Sequence, residues 1–397
     1  MRKLWPALLI LGAAVPLAPA TAAPLAGTAV DDTRAAPPAA AEAAPAAKPG
    51  KPGKRRAPKS GDGKRADTVE VHGRVFARAT ATREETVVGA PWQSELTLAS
   101  ARLSVDYRWK HRLRAKVSIE AASGNIRDAL IELPLADGLR LRAGRMKLPI
   151  GAVEAASAWT LPTIDRGLVA DALADGLGAT GRRSLVELRW RGAAAWKPTL
   201  TVAAAQGVRT AGGEQPGLVA DGGGVTIVAR AAATPCPSYT VAVSAASRVV
   251  NYGSATARFW NATLEAEADL AAIGAGLRVW GDATVGTGHY AAAVLGQPSR
   301  RFAALEVIAG YRLGGRKAGA RYLEPFAGAG WLNPILDRAR DDASEVVGGV
   351  GGGRWKRWRG QLQVGYQNAR ALRPALLLGT SDVNDRLRVD VQLGAAF

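Results

Sequence analysis

The chain has 397 residues, 48% of them hydrophobic, with 46 glycines, a single cysteine and a formal net charge of +18. Beyond the first two dozen positions no apolar run approaches the roughly 18 residues a spanning helix needs, which excludes a helical membrane bundle. Cys236 alone cannot close an internal disulfide, which excludes a disulfide scaffold.

Residues 1–22 read as a secretory signal: Arg2 and Lys3, an apolar run from Leu4 to Val15, then the small residues Ala20, Thr21 and Ala22. Residues 23–66 are rich in Ala, Pro and Lys with almost no large apolar side chains, so they cannot offset the entropy of ordering and form a disordered periplasmic tether. The tether is a spacer, or its basic charge contacts the anionic cell wall. Of the net charge, residues 1–22 carry +2, residues 23–47 carry −2, residues 48–66 carry +7 and residues 67–397 carry +11. A pI near 10.5 suggests nucleic acid, but an exported chain does not meet it, and no nucleic-acid partner is expected.

From residue 67 onward, about 331 residues follow a two-residue period, as strands do when their two faces meet different media. Sixteen segments keep it: 68–80, 95–109, 113–122, 127–136, 139–148, 184–192, 198–206, 223–232, 239–249, 257–270, 276–285, 301–312, 320–331, 345–354, 358–367 and 385–397. In the last, Leu387, Val389, Val391, Leu393, Ala395 and Phe397 share one face and Arg386, Arg388, Asp390 and Gln392 the other. Short connections at His111-Arg112, Asp137-Gly138, Ala193–Lys197, Pro235–Ser238, Ala271–Ala275, Leu313–Gly319 and Trp355–Trp358 alternate with mostly longer ones. At roughly 11 residues per tilted strand, sixteen strands use about 176 residues and leave about 155 for loops. The pattern predicts an all-β fold, a transmembrane antiparallel up-and-down β-barrel of about sixteen strands in a Gram-negative outer membrane. Tyr107, Trp109, Trp190, Tyr311 and Trp331 near strand ends suit aromatic girdles at the lipid interface.

With apolar residues facing lipid, the wall of the lumen carries fourteen cations and twelve acids. So many charges demand a water-filled interior. Twelve of the cations fall on the first, second, third, fifth, sixth and sixteenth segments, among them Arg102, Arg114, Lys116, Arg140, Arg142 and Arg189. Glu265, Glu267, Asp269, Asp282 and Glu306 fall on the tenth to twelfth, so a field across the pore is expected.

The longest connection, Pro149 to Arg183, is the third outer loop, and it is expected to fold inward and narrow the channel. Within it, Thr163-Ile164-Asp165-Arg166 before Leu168, Val169, Ala172, Leu173 and Gly176 reads as a short capped helix with a glycine stop. Lys147, Arg166, Arg182 and Arg183 are candidate anion contacts.

The stretch Leu141-Arg142-Ala143-Gly144-Arg145-Met146-Lys147-Leu148-Pro149-Ile150-Gly151, followed by Thr163-Ile164-Asp165-Arg166-Gly167-Leu168-Val169, resembles the "G-x-x-K-x-P-F-G … E-R-S-L-V" segment of the phosphate-selective porins, the porin O and P family. Glu324-Pro325-Phe326-Ala327 and the closing Arg386–Phe397 are similar to that family too. The resemblance implies a homotrimeric channel passing phosphate or polyphosphate, with Lys147 and Arg166 in the basic positions around the third loop. Acids share the wall and the loop, so a non-selective general diffusion porin stands as an alternative, and the basic tether leaves a second, a structural outer-membrane protein that contacts the cell wall through it. Past the signal, the chain has only His72, His111 and His289, no G-x-S-x-G elbow and no paired metal spacing, so neither enzyme nor cofactor is expected.

Overall fold

The computed structural model describes residues 67–84, 91–110, 112–210, 219–252, 255–270, 276–290, 300–315, 317–338, 341–369 and 385–397. The expected signal, the tether, His111 and the turn at 271–275 lie outside the described residues.

Sixteen long strands form one closed antiparallel barrel. In chain order they are β1 (Thr68–Glu84), β2 (Gln93–Trp109), β3 (Leu113–Glu120), β4 (Asn125–Ala136), β5 (Leu139–Lys147), β6 (Arg182–Arg191), β7 (Thr199–Thr210), β8 (Val219–Cys236), β9 (Tyr239–Tyr252), β10 (Ala255–Asp269), β11 (Leu277–Gly288) and β12 (Arg300–Tyr311). After β13 (Leu313–Gly314), a two-residue ladder segment, come β14 (Arg321–Asn333), β15 (Ala343–Arg354), β16 (Trp358–Ala369) and β17 (Asp385–Ala396). Each long strand pairs with its neighbours in sequence, and β17 pairs with β1 from Arg74↔Ala396 to Glu84↔Arg386, which closes the sheet. At the seam the Gly73 N–H donates to the Phe397 carbonyl, and the Phe397 N–H to the Gly73 carbonyl, both at 3.0 Å. Closure removes the unpaired edges that an open sheet of this size would present.

The two faces separate by chemistry. On β12, Leu305, Val307 and Tyr311 point outward and are exposed, while Phe302, Glu306 and Ile308 are buried inside. On β17, Val391 and Leu393 are exposed, whereas Asp390 and Gln392 are buried. The outward aliphatic residues form a belt far too apolar for water. Trp109, Trp190, Tyr239, Tyr311 and Trp358 stand outward at the short-turn end, with Trp331 and Tyr366 toward the other.

Bulges break the alternation where it matters. Between β3 and β4, Ser118 pairs with Asp128 and Ile119 with Ile126, so Arg127 has no partner across the ladder. Strict alternation would send Arg127 to the outer face. The extra residue lets both Arg127 and Asp128 face the lumen.

Candidate functional site: the lumen and its third loop

Residues 148–181 run inside the barrel and bury Leu148, Ile150, Val153, Leu161, Leu168, Val169, Leu173 and Leu177 against the inner wall. The apolar wall residues they meet include Trp280, Phe302, Ile308 and Leu332. Two short helices punctuate this loop, α1 (Ala152–Ala155) and α2 (Leu168–Asp171), the second running on as a π-turn to Gly176. The helix sits where the sequence places it, but its ends differ: Gly176 is its last helical residue, and the left-handed glycine that follows the Leu177 C-cap is Gly178 at φ 61°. Gly167 holds the N-cap position at φ 102°, and neither Thr163 nor Asp165 caps.

The wall supplies the missing acceptors. Asp282 accepts the N–H groups of Ala152 (2.7 Å) and Val153 (2.9 Å), and Glu345 accepts that of Leu168 (2.7 Å). Gln363 accepts the Ile164 N–H at 2.9 Å, while Arg359 donates to the carbonyls of Ala158, Trp159 and Leu161. Phe76 stacks on Trp159 at 5.4 Å between ring centres. The loop is therefore fastened along β11, β12, β15 and β16, which is the side that carries Asp282, Glu306 and Glu345. Asp282, which looked like open pore wall in the sequence, is consumed as a loop anchor, and Glu345 joins it.

The open water lies on the opposite side. A cavity of ≈ 200 Å³ at mid-height is lined by Arg74, Arg78, Arg102, Arg127, Arg166, Arg182 and Arg359 against Glu120, Asp165 and Asp171, seven guanidiniums to three carboxyls. Toward the short-turn end it meets two wider cavities of ≈ 560 and ≈ 580 Å³. Arg102 lines all three, so it stands where the path is shared. The ≈ 560 Å³ cavity adds Lys116, Arg142, Lys147, Arg189, Arg191 and Arg230 around one carboxylate, Asp128.

Each residue singled out from the sequence has a definite place. Lys147 donates to the Glu154 and Ala156 carbonyls, and Arg166 donates to Ala156 O at 2.9 Å and pairs with Glu154 at 3.4 Å, so both hold the root of the loop while lining the cavity. Arg102 pairs with Glu120 (3.1 Å), Arg114 with Asp106, Lys116 with Asp128 (3.7 Å), and Arg142 and Arg189 with Glu187 (3.0 Å each). Arg114 lines the ≈ 580 Å³ cavity; Arg140, paired with Glu132 at 2.6 Å, lines none of the three. Arg183 is buried and bonds the Arg182 carbonyl at 2.8 Å, away from the path.

Sequence reasoning missed Arg74's lack of an acid, Arg127's bulge, and Arg359. Among the described residues neither Arg74 nor Arg127 has a hydrogen bond or an ion pair; Arg74 only stacks over Phe76 at 5.6 Å. On the loop, burial opposes ionisation of Asp165, but Arg78 and Arg388 outweigh it and hold the carboxyl below the usual range. Asp171 opens on lumen water yet is enclosed by the barrel. That enclosure, with Asp165, Asp175, Glu154 and Glu345 around it, pushes its carboxyl up to about 8.

No protein-family model matches the sequence, and no curated protein is similar to it in sequence. Solved structures share its architecture. The anion-selective porin from Comamonas acidovorans superposes with a TM-score of 0.59 at 12% identity, covering 84% of this chain and 100% of that one. OmpF of Salmonella typhi, in complex with daunomycin, gives 0.55 at 14% identity over 83% of this chain and 97% of that one. OprB of Pseudomonas putida gives 0.51 at 8%, over 83% and 94%. At these identities the likeness is one of fold: the described residues share the barrel architecture of these outer-membrane porins.

Proposed function

We propose that this chain is an outer-membrane porin for passive diffusion of small hydrophilic solutes, and that its pore prefers anions. The observation that carries the reading is the division of the lumen. The loop covers the acidic wall, and the narrow cavity of ≈ 200 Å³ left beside it is bounded by seven guanidiniums against three carboxyls. Fixed charge of one sign lining a narrow aqueous path raises the local concentration of the opposite ion. The outward apolar belt and its aromatic ends support lipid as the surrounding medium. The motif resemblance adds phosphate as a solute and a homotrimer as the assembly.

Single-channel recording of the purified chain in planar bilayers under a salt gradient tests this. The expected result is a stable ohmic conductance with a reversal potential on the anion side, shrinking as salt rises because mobile ions screen the wall. A cation-side potential, or no conductance, refutes it. Millimolar phosphate blocking chloride current, with relief in Arg166→Ala, would extend the reading to a phosphate-binding pore.

A second reading is favoured by the pairing of the wall. Arg102, Arg114, Lys116, Arg142 and Arg189 each keep an acidic partner within 3.7 Å, which fits a general diffusion pore with a mild preference. A permeability ratio near unity would select it.

A further inference from the structure

The third loop shows the water a face unlike that of the barrel wall. From Gly151 to Pro162 it carries one charged side chain, Glu154, which is buried and turned to Lys147 and Arg166. The polar groups of its backbone are taken up from behind. Arg359 holds the carbonyls of Ala158, Trp159 and Leu161, Arg278 that of Thr160 at 2.8 Å, and Gln361 that of Pro162 at 2.7 Å. Lys147 and Arg166 hold those of Glu154 and Ala156. The N–H groups of Ala155, Ala156, Thr160 and Leu161 donate to carbonyls inside the loop. The hydroxyls stay within it too, since Ser157 Oγ accepts the Trp159 N–H and Thr160 Oγ1 donates to Ser157 O at 2.8 Å.

What the loop leaves for the water is largely hydrocarbon. Pro149, Ala155, Ala156 and Ala158 line the ≈ 560 Å³ cavity, with Ala155 exposed, and the half-buried indole of Trp159 lines the ≈ 580 Å³ one. Ala158 also lines the narrow cavity at mid-height, so the apolar strip follows the path to the place that Arg102 shares. The barrel wall of the ≈ 560 Å³ cavity is cationic. Arg142 and Arg189 share one carboxylate, Glu187, and Lys116 and Arg182 share Asp128, so the donors outnumber the acids that hold them.

We infer that this lumen is a binding site for organic anions with an apolar body, the alkyl and aryl carboxylates. The assignment rests on the anion preference proposed above and narrows the class of solute. A guanidinium fork fits the carboxylate head, and the body removes apolar surface from water when it lies on the strip. Chloride and inorganic phosphate gain nothing from the strip, because an ion loses water against methyl groups without a new hydrogen bond. The volume of ≈ 560 Å³ falls within the range of about 300–1,000 Å³ that small-molecule sites occupy.

The test records the full chain in planar bilayers near neutral pH and blocks its chloride current with acetate, butyrate and hexanoate, which share one charge and one head group. The half-blocking concentration is expected to fall about twofold for each added methylene, which is about 0.4 kcal/mol and about half of what complete burial gives. Hexanol, the tail without the charge, should not block, and inorganic phosphate should block less than hexanoate. Ala155→Asn with Ala158→Asn should flatten the series by making the strip polar. Equal half-blocking concentrations across the series in the wild-type chain, block by hexanol equal to that by hexanoate, or a wild-type slope in the double variant overturns the assignment. The first two results need no variant to fold. With the reversal potential on the anion side these results leave the porin reading standing, whereas a cation-side potential or no conductance overturns both.

Discussion

Arg78 on β1 and Asp165 on the third loop form a forked pair, Nη2 to Oδ1 at 2.8 Å and Nη1 to Oδ2 at 3.1 Å, and Arg388 of β17 reaches the same carboxylate at 2.6 Å. The pair fastens the loop at the closing seam of the barrel, beyond the anchors on β11 to β16. Asp165→Asn should remove two charge-assisted contacts and destabilise the chain by about 1.5–3 kcal/mol. It should also release Arg78 and Arg388 into the lumen and increase the anion preference. The pH sign follows from the depressed carboxyl. Its contribution is present above the unfolded-state value of about 3.9 and is lost as pH falls through the lower folded value. Urea unfolding of wild type and Asp165→Asn should therefore converge in strong acid. A gap that persists there would refute the assignment.

Asp171 gives a second, opposite pH dependence. Its carboxyl, raised to about 8, is neutral below that value and charged above it. Because it opens on the same cavity as Arg74, Arg78 and Arg102, its ionisation subtracts from the positive field. Anion preference should fall as pH is raised from about 6 to about 9, and Asp171→Asn should flatten that dependence while keeping the low-pH selectivity. Reversal potentials across the pH range check both.

The barrel was legible because each strand reports its two environments residue by residue. The segments 113–122, 139–148 and 385–397 correspond to Leu113–Glu120, Leu139–Lys147 and Asp385–Ala396. The position of the third loop was legible from its length, and its helix from the run ending at Gly176. What could not be read were relations across the lumen. Nothing local to Asp282 or Glu345 says that a loop more than a hundred residues upstream will take them as anchors, so a wall that seems nearly neutral in sequence leaves a cationic path once folded. Lys147 and Arg166 were read as solute contacts, whereas the contacts they make are to the loop root, at Glu154 and Ala156. Arg127 escaped because a one-residue bulge reverses the phase on which the face assignment rests.

That difference between paired and unpaired cations yields a test by substitution. Arg74 and Arg127 line the narrow cavity without a bond or ion pair among the described residues, so Arg74→Ala with Arg127→Ala should lower anion selectivity at little cost in stability. A unit charge about 7 Å from the ion's path is worth about 0.6 kcal/mol in water, roughly threefold in ion partition for each residue. Arg102→Ala should differ. It leaves Glu120 with Ser100 and the Ala101 N–H but without its guanidinium, so stability should fall by about 1–3 kcal/mol along with selectivity. Equal stability losses in the double variant and in Arg102→Ala would contradict the distinction. Bilayer recording and urea midpoints supply the two readouts.

Gly394 of β17 tests whether the seat of the loop sets the noise of the pore. Its inward face lies under Phe76, which stacks on Trp159, which in turn receives Arg359 at 5.1 Å. A side chain at 394 would begin 2.3 Å from the Phe76 ring and 3.4 Å from Trp159, so even one methyl must push the stack toward the lumen. Overpacking of this kind typically costs about 1–3 kcal/mol. Gly394→Ala should therefore lower the urea midpoint and raise open-channel current fluctuations, because Trp159 and the carbonyls that Arg359 holds move as one unit. Replacing Phe76 with Leu in the same chain should relieve the clash and recover most of the midpoint. The fluctuations should stay high, since the aromatic contact that seats Trp159 is gone. If the second substitution restores both, Gly394 matters only through local packing and the stack does not govern the loop.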